Sequence, residues 1–168
     1  MKLEEINEKH SLENFSCETG SLDNYLKTRA LSECKRLLSK TYVVSDNGNV
    51  VAFCTLVLHS LKPEQKELFL EKDEISKLRV PALLIGQLAV HKDFKGQGIG
   101  ASLIQTAIKY ALEINNYVHF PVIIVDAQKP ELISYYKDKG FKKFTDNDSR
   151  LYLPIADIIK TFNETQWV

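Results

Sequence analysis

The clearest chemistry in this chain sits in six consecutive residues, Lys95-Gly96-Gln97-Gly98-Ile99-Gly100. They follow an apolar run, Pro81 to Val90 (PALLIGQLAV), that reads as a buried strand. They precede a segment in which Ile104, Ala107, Ile108, Ala111 and Leu112 recur at i, i+3, i+4, i+7 and i+8. That spacing predicts a helix with one face on a core. A strand, a glycine-rich turn and a helix N-terminus together make an anion site. The first helical turn leaves N–H groups unpaired, and the macrodipole puts about half a positive charge there. Glycine lets the backbone approach a phosphate without a Cβ in the way. Gln97 to Ala101 are the expected donors. A plain turn is the competing reading, but three alternating glycines opening a helix favour the anion.

The type of phosphate is narrowed by what does not fit. Gly96, Gly98 and Ala101 satisfy G-x-G-x-x-A, yet the strand ends near Val90, several residues early. No acidic residue lies about 20 positions on, as dinucleotide binding requires. The chain also has no G-x-x-x-x-G-K-[ST], which argues against a nucleoside triphosphatase. Cys17, Cys34 and Cys54 are widely spaced and give neither a disulfide framework nor a C-x-x-C signature. His91, His59 and Asp126 are candidate bases acting through water; a lone strand-end histidine is more often structural. Tyr136 shares a predicted helical face with Leu132 and Ile133, and periodicity alone favours packing for it.

The elements that hold these residues are legible in outline. From Ser21 to Lys40, Leu22, Tyr25, Leu26, Ala30, Cys34, Leu37 and Leu38 approach helical spacing, with Ser21 as the expected cap. The other face is mostly basic: Lys27, Arg29, Lys35, Arg36 and Lys40 against Asp23 and Glu33. Thr41 to Ser45 and Val50 to Leu58 read as strands joined by an Asn47-Gly48 hairpin turn. Pro63 to Arg79 reads as a charged, irregular or helical surface excursion. Phe120 to Val125 is a further strand, ending at Asp126-Ala127. Pro130 suits the first turn of a short helix that Gly140 stops in a left-handed conformation. Phe141 to Phe144 and Arg150 to Leu153 are expected closing strands, and Ile155 to Phe162 a terminal helix. The sum is a mixed α/β chain with a parallel strand–helix–strand unit at its centre, in one domain over residues 1–168.

Composition bounds the rest. The 168 residues are 44% hydrophobic and 26% charged, enough for a sizeable core and against global disorder. Lys plus Arg and Asp plus Glu are 22 each, so any nucleic-acid binding must use a local patch. The start, MKLEEINEKH, is too polar for a signal peptide, and the longest apolar stretch is about half the ~20 residues of a membrane helix. A cytoplasmic protein without membrane or metal is expected.

LAVHKDFKGQGIGASLI (Leu88 to Ile104) resembles the acetyl-CoA signature of the GNAT N-acetyltransferase superfamily, Gln/Arg-x-x-Gly-x-Gly/Ala after a strand. Lys95 stands at the Gln/Arg position, a departure that adds a cation near phosphate; Gly98 and Gly100 stand at the glycines. YYKDKGF (Tyr135 to Phe141) resembles the superfamily's later aromatic–Tyr–x–x–x–Gly–Phe motif. FSCETGSLDNYL (Phe15 to Leu26), TYVV, VPALLIGQLAV, VIIVDA (Val122 to Ala127) and RLYLPI (Arg150 to Ile155) are similar, in the same order, to segments of one branch. That branch comprises the acetyltransferase toxins of bacterial toxin–antitoxin pairs, which acetylate aminoacyl-tRNA.

The resemblance implies a GNAT acyltransferase fold with splayed central parallel strands and acetyl-CoA as co-substrate. Leu88, Ala89 and Val90 are then expected to offer backbone groups to the pantetheine arm. Lys95, Gly96, Gln97, Gly98, Ile99, Gly100 and Ala101 are expected around the diphosphate. Tyr136 is implied as general acid or hydrogen-bond donor to the departing thiolate. Lys27, Arg29 and Arg36 lie in a segment that faces acceptor-stem RNA in the branch. The implied partners are aminoacyl-tRNA, a second copy in a homodimer and a small ribbon–helix–helix antitoxin. A protein N-terminus, a lysine or a small amine is the alternative acceptor. A CoA-binding regulatory module without turnover is the alternative from another class, and intact Tyr136, Gly98 and Gly100 argue against it.

Overall fold

The computed structural model describes residues 1–146 and 148–165, the side chains of 162–165 excepted. Seven strands form one sheet in the order β1-β2-β3-β4-β5-β7-β6. The strands are β1 (Lys2–Glu5), β2 (Lys40–Asp46), β3 (Asn49–Ser60), β4 (Pro81–Val90), β5 (Val122–Asp126), β6 (Lys142–Lys143) and β7 (Arg150–Pro154). The α-helices are α1 (Gly20–Tyr25), α2 (Leu31–Lys35), α3 (Pro63–Lys66), α4 (Ile99–Asn115), α5 (Glu131–Lys137) and α6 (Ile155–Thr165). The chain divides into two compact units, Met1–Val57 with Ile85–Tyr110, and Leu58–Leu84 with the residues from Ala111 onward.

In the first unit, β1, β2 and β3 pair antiparallel. Asn47 and Gly48 both take positive φ, 50° and 82°, the geometry of the tight turn expected from Asn-Gly. One face of this ladder packs on a core of Phe15, Leu22, Tyr25, Leu26, Ala30, Val43 and Phe53. On the ladder itself the register partners Thr41 and Thr55, both buried, bond each other's hydroxyls at 2.8 Å. β1 is the strand the sequence reading lacked; its exposed, charged residues show no buried-face alternation.

The first helix is shorter and less regular than its spacing predicts. Ser21 does not cap it: Thr19 holds the N-cap position, without a side-chain bond. Leu26–Ala30 forms a π-helical turn between α1 and α2, an insertion often found at functional sites. The helix ends at Lys35, with the Leu37 and Leu38 amides bonded back to the Cys34 and Glu33 carbonyls. This is a Schellman ending with leucine, not glycine, in the left-handed position, Leu37 having φ 58°. Leu37 is 92% and Leu38 53% exposed, so neither joins the core as their spacing suggested.

In the second unit, β7 pairs antiparallel with both β5 and β6. Leu61, Val80, Ala82, Val122 and Ile124 form its core, with Phe69, Leu70, Phe144 and Tyr152 packed on it. The excursion after β3 is a single turn of helix, α3, followed by turns. Lys66 ties these turns down through the Ile75 and Leu78 carbonyls. Among the described residues, no helix is long and apolar enough to cross a membrane.

Candidate functional site

The glycine turn belongs to the first unit. Gly96 and Gly98 have φ 76° and 78°, while Lys95 between β4 and the turn is extended. Left-handed residues alternating with ordinary ones point successive N–H groups the same way and make an anion-binding nest. A Cβ built on Gly96 or Gly98 meets nothing within 4 Å, so glycine is needed here for its φ rather than for space. The Ser102 amide bonds the Gly98 carbonyl at 3.0 Å, the first i to i−4 link of α4. The amides of Ile99, Gly100 and Ala101 therefore precede the first one with an intrahelical acceptor. Lys95 to Gly98 are exposed and Ile99 to Ala101 half-buried, so the expected donors face an open surface. Leu88 and Val90 are half-buried, and Ala89 belongs to the unit's core.

Lys95 does not stand as a free cation beside this turn. Its Nζ donates to the Glu18 carboxylate at 2.6 Å and to the Cys17 carbonyl at 3.1 Å. The neighbouring Lys92 amide bonds the Ser16 carbonyl at 2.8 Å. His91 accepts the Asp93 amide on Nδ1 at 3.2 Å, which leaves the proton on Nε2 for the Asn14 carbonyl at 3.1 Å. Both ring nitrogens are thus engaged with backbone at Asn14 and Asp93.

The tyrosine motif lies in the second unit. Tyr136 is buried on α5, its ring edge-to-face with Tyr135 at 5.5 Å and with Phe141 at 5.8 Å. Its carbonyl accepts the amides of Lys139 and Phe141, closing the helix over Gly140 at φ 90°. The Tyr–x–x–x–Gly–Phe spacing is therefore the spacing of a helix end that folds Phe141 back onto Tyr136.

In the same unit Asp126, at the end of β5, faces Arg150, its register partner on β7. Arg150 grips both carboxylate oxygens, Nε at 2.6 Å and Nη2 at 2.7 Å. Its Nη1 donates to His59 Nε2 at 3.0 Å. Burial, then the Arg150 charge, holds His59 below its ordinary pKa, so it stays the neutral acceptor this bond needs. Asp126 and His59, two further candidate bases, are thereby committed to Arg150. In the sequence Arg150 only opens an expected closing strand; the β5–β7 register that sets it opposite Asp126 has no local signal.

Three of the five basic residues from Lys27 to Lys40 are paired with carboxylates. Arg29 forks onto Glu33 and lies 5.6 Å over the Tyr25 ring, Lys35 pairs with Glu8, and Lys40 with Glu5. Lys27 and Arg36 remain exposed on either side. Farther on, Lys142 pairs with Asp157, and Lys139 sits 4.5 Å over the Tyr135 ring. The cysteines are free, and burial pushes the Cys17 and Cys54 thiols up to about 11 and about 12. Neither is a nucleophile at neutral pH.

Residues 38–143 match the model of the acetyltransferase (GNAT) domain. The chain is 27% identical to a tRNA-acetylating toxin of Mycobacterium tuberculosis, over 90% of each protein. Its fold matches that of AtaT complexed with acetyl-methionyl-tRNAfMet at TM-score 0.82 and 21% identity, covering 96% of this chain and 98% of that one. It matches AtaTR bound with AcCoA at TM-score 0.81 and 22% identity, covering 96% and 97%. The glycine turn and the tyrosine helix both lie inside the matched segment, and the chain belongs to the GNAT acetyltransferase family.

Proposed function

We propose that this protein moves the acetyl group of acetyl-CoA to the α-amine of an aminoacyl-tRNA. The observation that carries the cofactor half is the left-handed pair Gly96 and Gly98, which opens α4 with its first amides toward an accessible surface. Gln97 to Ala101 would hold the diphosphate, and the backbone of Leu88 to Val90 the pantetheine arm. Bound there, acetyl-CoA supplies an activated thioester. The acceptor amine attacks its carbonyl, the C–S bond breaks as the N–C bond forms, and the amine proton leaves to solvent. Tyr136 is the proposed donor to the departing sulfur. Its ordinary pKa near 10 against a thiol near 8.5 makes full transfer uphill by about 2 kcal/mol, so its role is a hydrogen bond to thiolate.

The acceptor half rests on the bases. His91 has both ring nitrogens bonded, His59 holds Arg150 on Nε2, and Asp126 holds it on both oxygens. An acceptor that brings its own neutral amine needs none of these three groups as a base. An α-amine with pKa about 7.7–8.0 is roughly a tenth neutral or more at pH 7, several-hundredfold more than a lysine near 10.4. The M. tuberculosis relative, a tRNA-acetylating toxin, supports the same choice. Lys27, Arg29 and Arg36 are the proposed RNA contacts, Arg29 exchanging Glu33 for phosphate. A cytoplasmic homodimer, acting as one catalytic domain and countered by a ribbon–helix–helix antitoxin, completes the proposal; AtaT itself is solved with AtaR on DNA.

Incubation with radiolabelled acetyl-CoA and charged tRNA tests it. Label on the aminoacyl group, absent with uncharged tRNA, is the expected result. Label only on protein N-termini, lysines or small amines would replace the acceptor.

A further inference from the structure

Lys95 departs from the family's Gln or Arg, and its side chain turns to the segment Asn14–Glu18. Three links clamp that segment along the connection from β4 to the turn: His91 to the Asn14 carbonyl, Lys92 N–H to the Ser16 carbonyl, and Lys95 to Cys17 and Glu18. The far side of the strap is fixed as well, the Cys17 amide bonding Asp23 Oδ1 in α1 at 2.8 Å. Glu18, the residue that Lys95 grips, has φ 67°, a left-handed conformation that non-glycine residues adopt only when their surroundings hold them there.

We infer that Lys95 is a positioning residue for acetyl-CoA: it pins the strap at Cys17 and Glu18 to the entrance of the glycine turn, and so sets the conformation in which Gly96 and Gly98 turn the amides of Gln97 to Ala101 outward. It acts through the turn, not by lending its own charge to the phosphates. Two acceptors on the strap engage the ammonium, the Glu18 carboxylate at the surface and the part-buried Cys17 carbonyl next to it in sequence. Glu18 is then a partner of the cofactor site although it is an anion next to an anion site. The inference rests on the acetyl-CoA reading above.

The two roles for Lys95 make opposite predictions for Glu18. If Lys95 bound phosphate, Glu18 would compete for it, and Glu18→Ala would tighten CoA. If Lys95 positions the turn, Glu18→Ala loosens it. Calorimetric Kd for CoA and KM for acetyl-CoA are measured for the parent protein, Lys95→Met, Lys95→Arg, Glu18→Ala, the Lys95→Met/Glu18→Ala double variant and Lys77→Met. Lys77 pairs with Asp73 at 3.8 Å on the surface excursion and serves as the control. Lys95→Met loses the charged bond to the Cys17 carbonyl as well as the pair and is expected to raise Kd and KM about 10-fold, whereas Glu18→Ala loses only an exposed pair and is expected to raise them about 3-fold. The double variant resembles Lys95→Met alone, Lys95→Arg recovers most of the loss, and the control stays at the parent value. Tighter CoA binding by Glu18→Ala, additive losses in the double variant, or unchanged Kd in Lys95→Met would each overturn the inference. A parent protein that binds no CoA would instead sink the acetyl-CoA reading, and this inference with it.

Discussion

Asp126 and Arg150 face each other as the last register pair of β5 and β7 and meet through two bonds of 2.6 and 2.7 Å. Their side chains are only 32% and 19% exposed, and a fork-to-carboxylate pair of this kind is stronger and more directional than a surface ion pair. Arg150→Met leaves the carboxylate without its partner and should lower stability by about 1–3 kcal/mol, read as a lower urea midpoint at unchanged slope. A midpoint equal to that of the parent would show the pair to be worth no more than an exposed one.

The His59 end of this cluster predicts a pH dependence. Burial and Arg150 lower the folded pKa of His59 from an ordinary 6.5. The unfolded chain therefore takes up the proton first as pH falls. The stability contribution of His59 is present above pH 6.5 and is lost as pH drops through that value toward the lower folded pKa. His59→Gln should flatten the stability profile in that window. A profile unchanged by the substitution would mean that His59 is not held neutral.

For the glycine turn, φ and space make separable predictions. Gly98→Ala forces a side chain into the left-handed region and should cost about 1 kcal/mol while weakening CoA binding. Gly20 has equally open space around its Cβ position but no positive φ, and it begins α1. Gly20→Ala should be neutral or stabilising by up to about 1 kcal/mol, because alanine is the better helix former. Equal losses in the two variants would show that the left-handed geometry is not what glycine supplies at position 98.

Tyr136→Phe removes the hydroxyl and keeps the ring that packs on Tyr135 and Phe141. Turnover should fall by about 10²–10⁴-fold while CoA affinity holds. Full activity in this variant would return Tyr136 to a packing role. The pH profile of kcat/KM should in turn follow the acceptor amine: replacing the α-amine substrate by one of higher pKa should move the inflection upward by the same amount. An inflection fixed near one value for all acceptors would reveal a protein base.

The sequence carried the strand–turn–helix motif almost residue for residue, because each part has a local cause: apolar run, glycine φ and 3.6-residue period. β4 matches the predicted Pro81–Val90, and α4 opens at Ile99, inside the glycine run and ahead of the helical spacing that begins at Ile104. Elements set by long-range pairing were hidden. β1 has no apolar alternation to mark it, and the 150-to-126 register that turns Arg150 into a clasp is a property of the sheet. The helix predicted through Lys40 failed at Leu37, where leucine takes a conformation normally left to glycine. The basic stripe looked stronger in sequence than in space because Glu5 and Glu8, the partners of Lys40 and Lys35, lie about thirty residues away along the chain. Lys95 was legible as a cation but not as an anchor, since nothing near it in sequence names Cys17 or Glu18.

The most direct measurement is a backbone amide NMR titration of the protein with CoA. The amide resonances of Gln97, Gly98, Ile99, Gly100 and Ala101 are expected to move together and saturate with one affinity. A chain that binds CoA while those five amides stay still, or that shows no shift anywhere at millimolar CoA, would contradict the proposed diphosphate site.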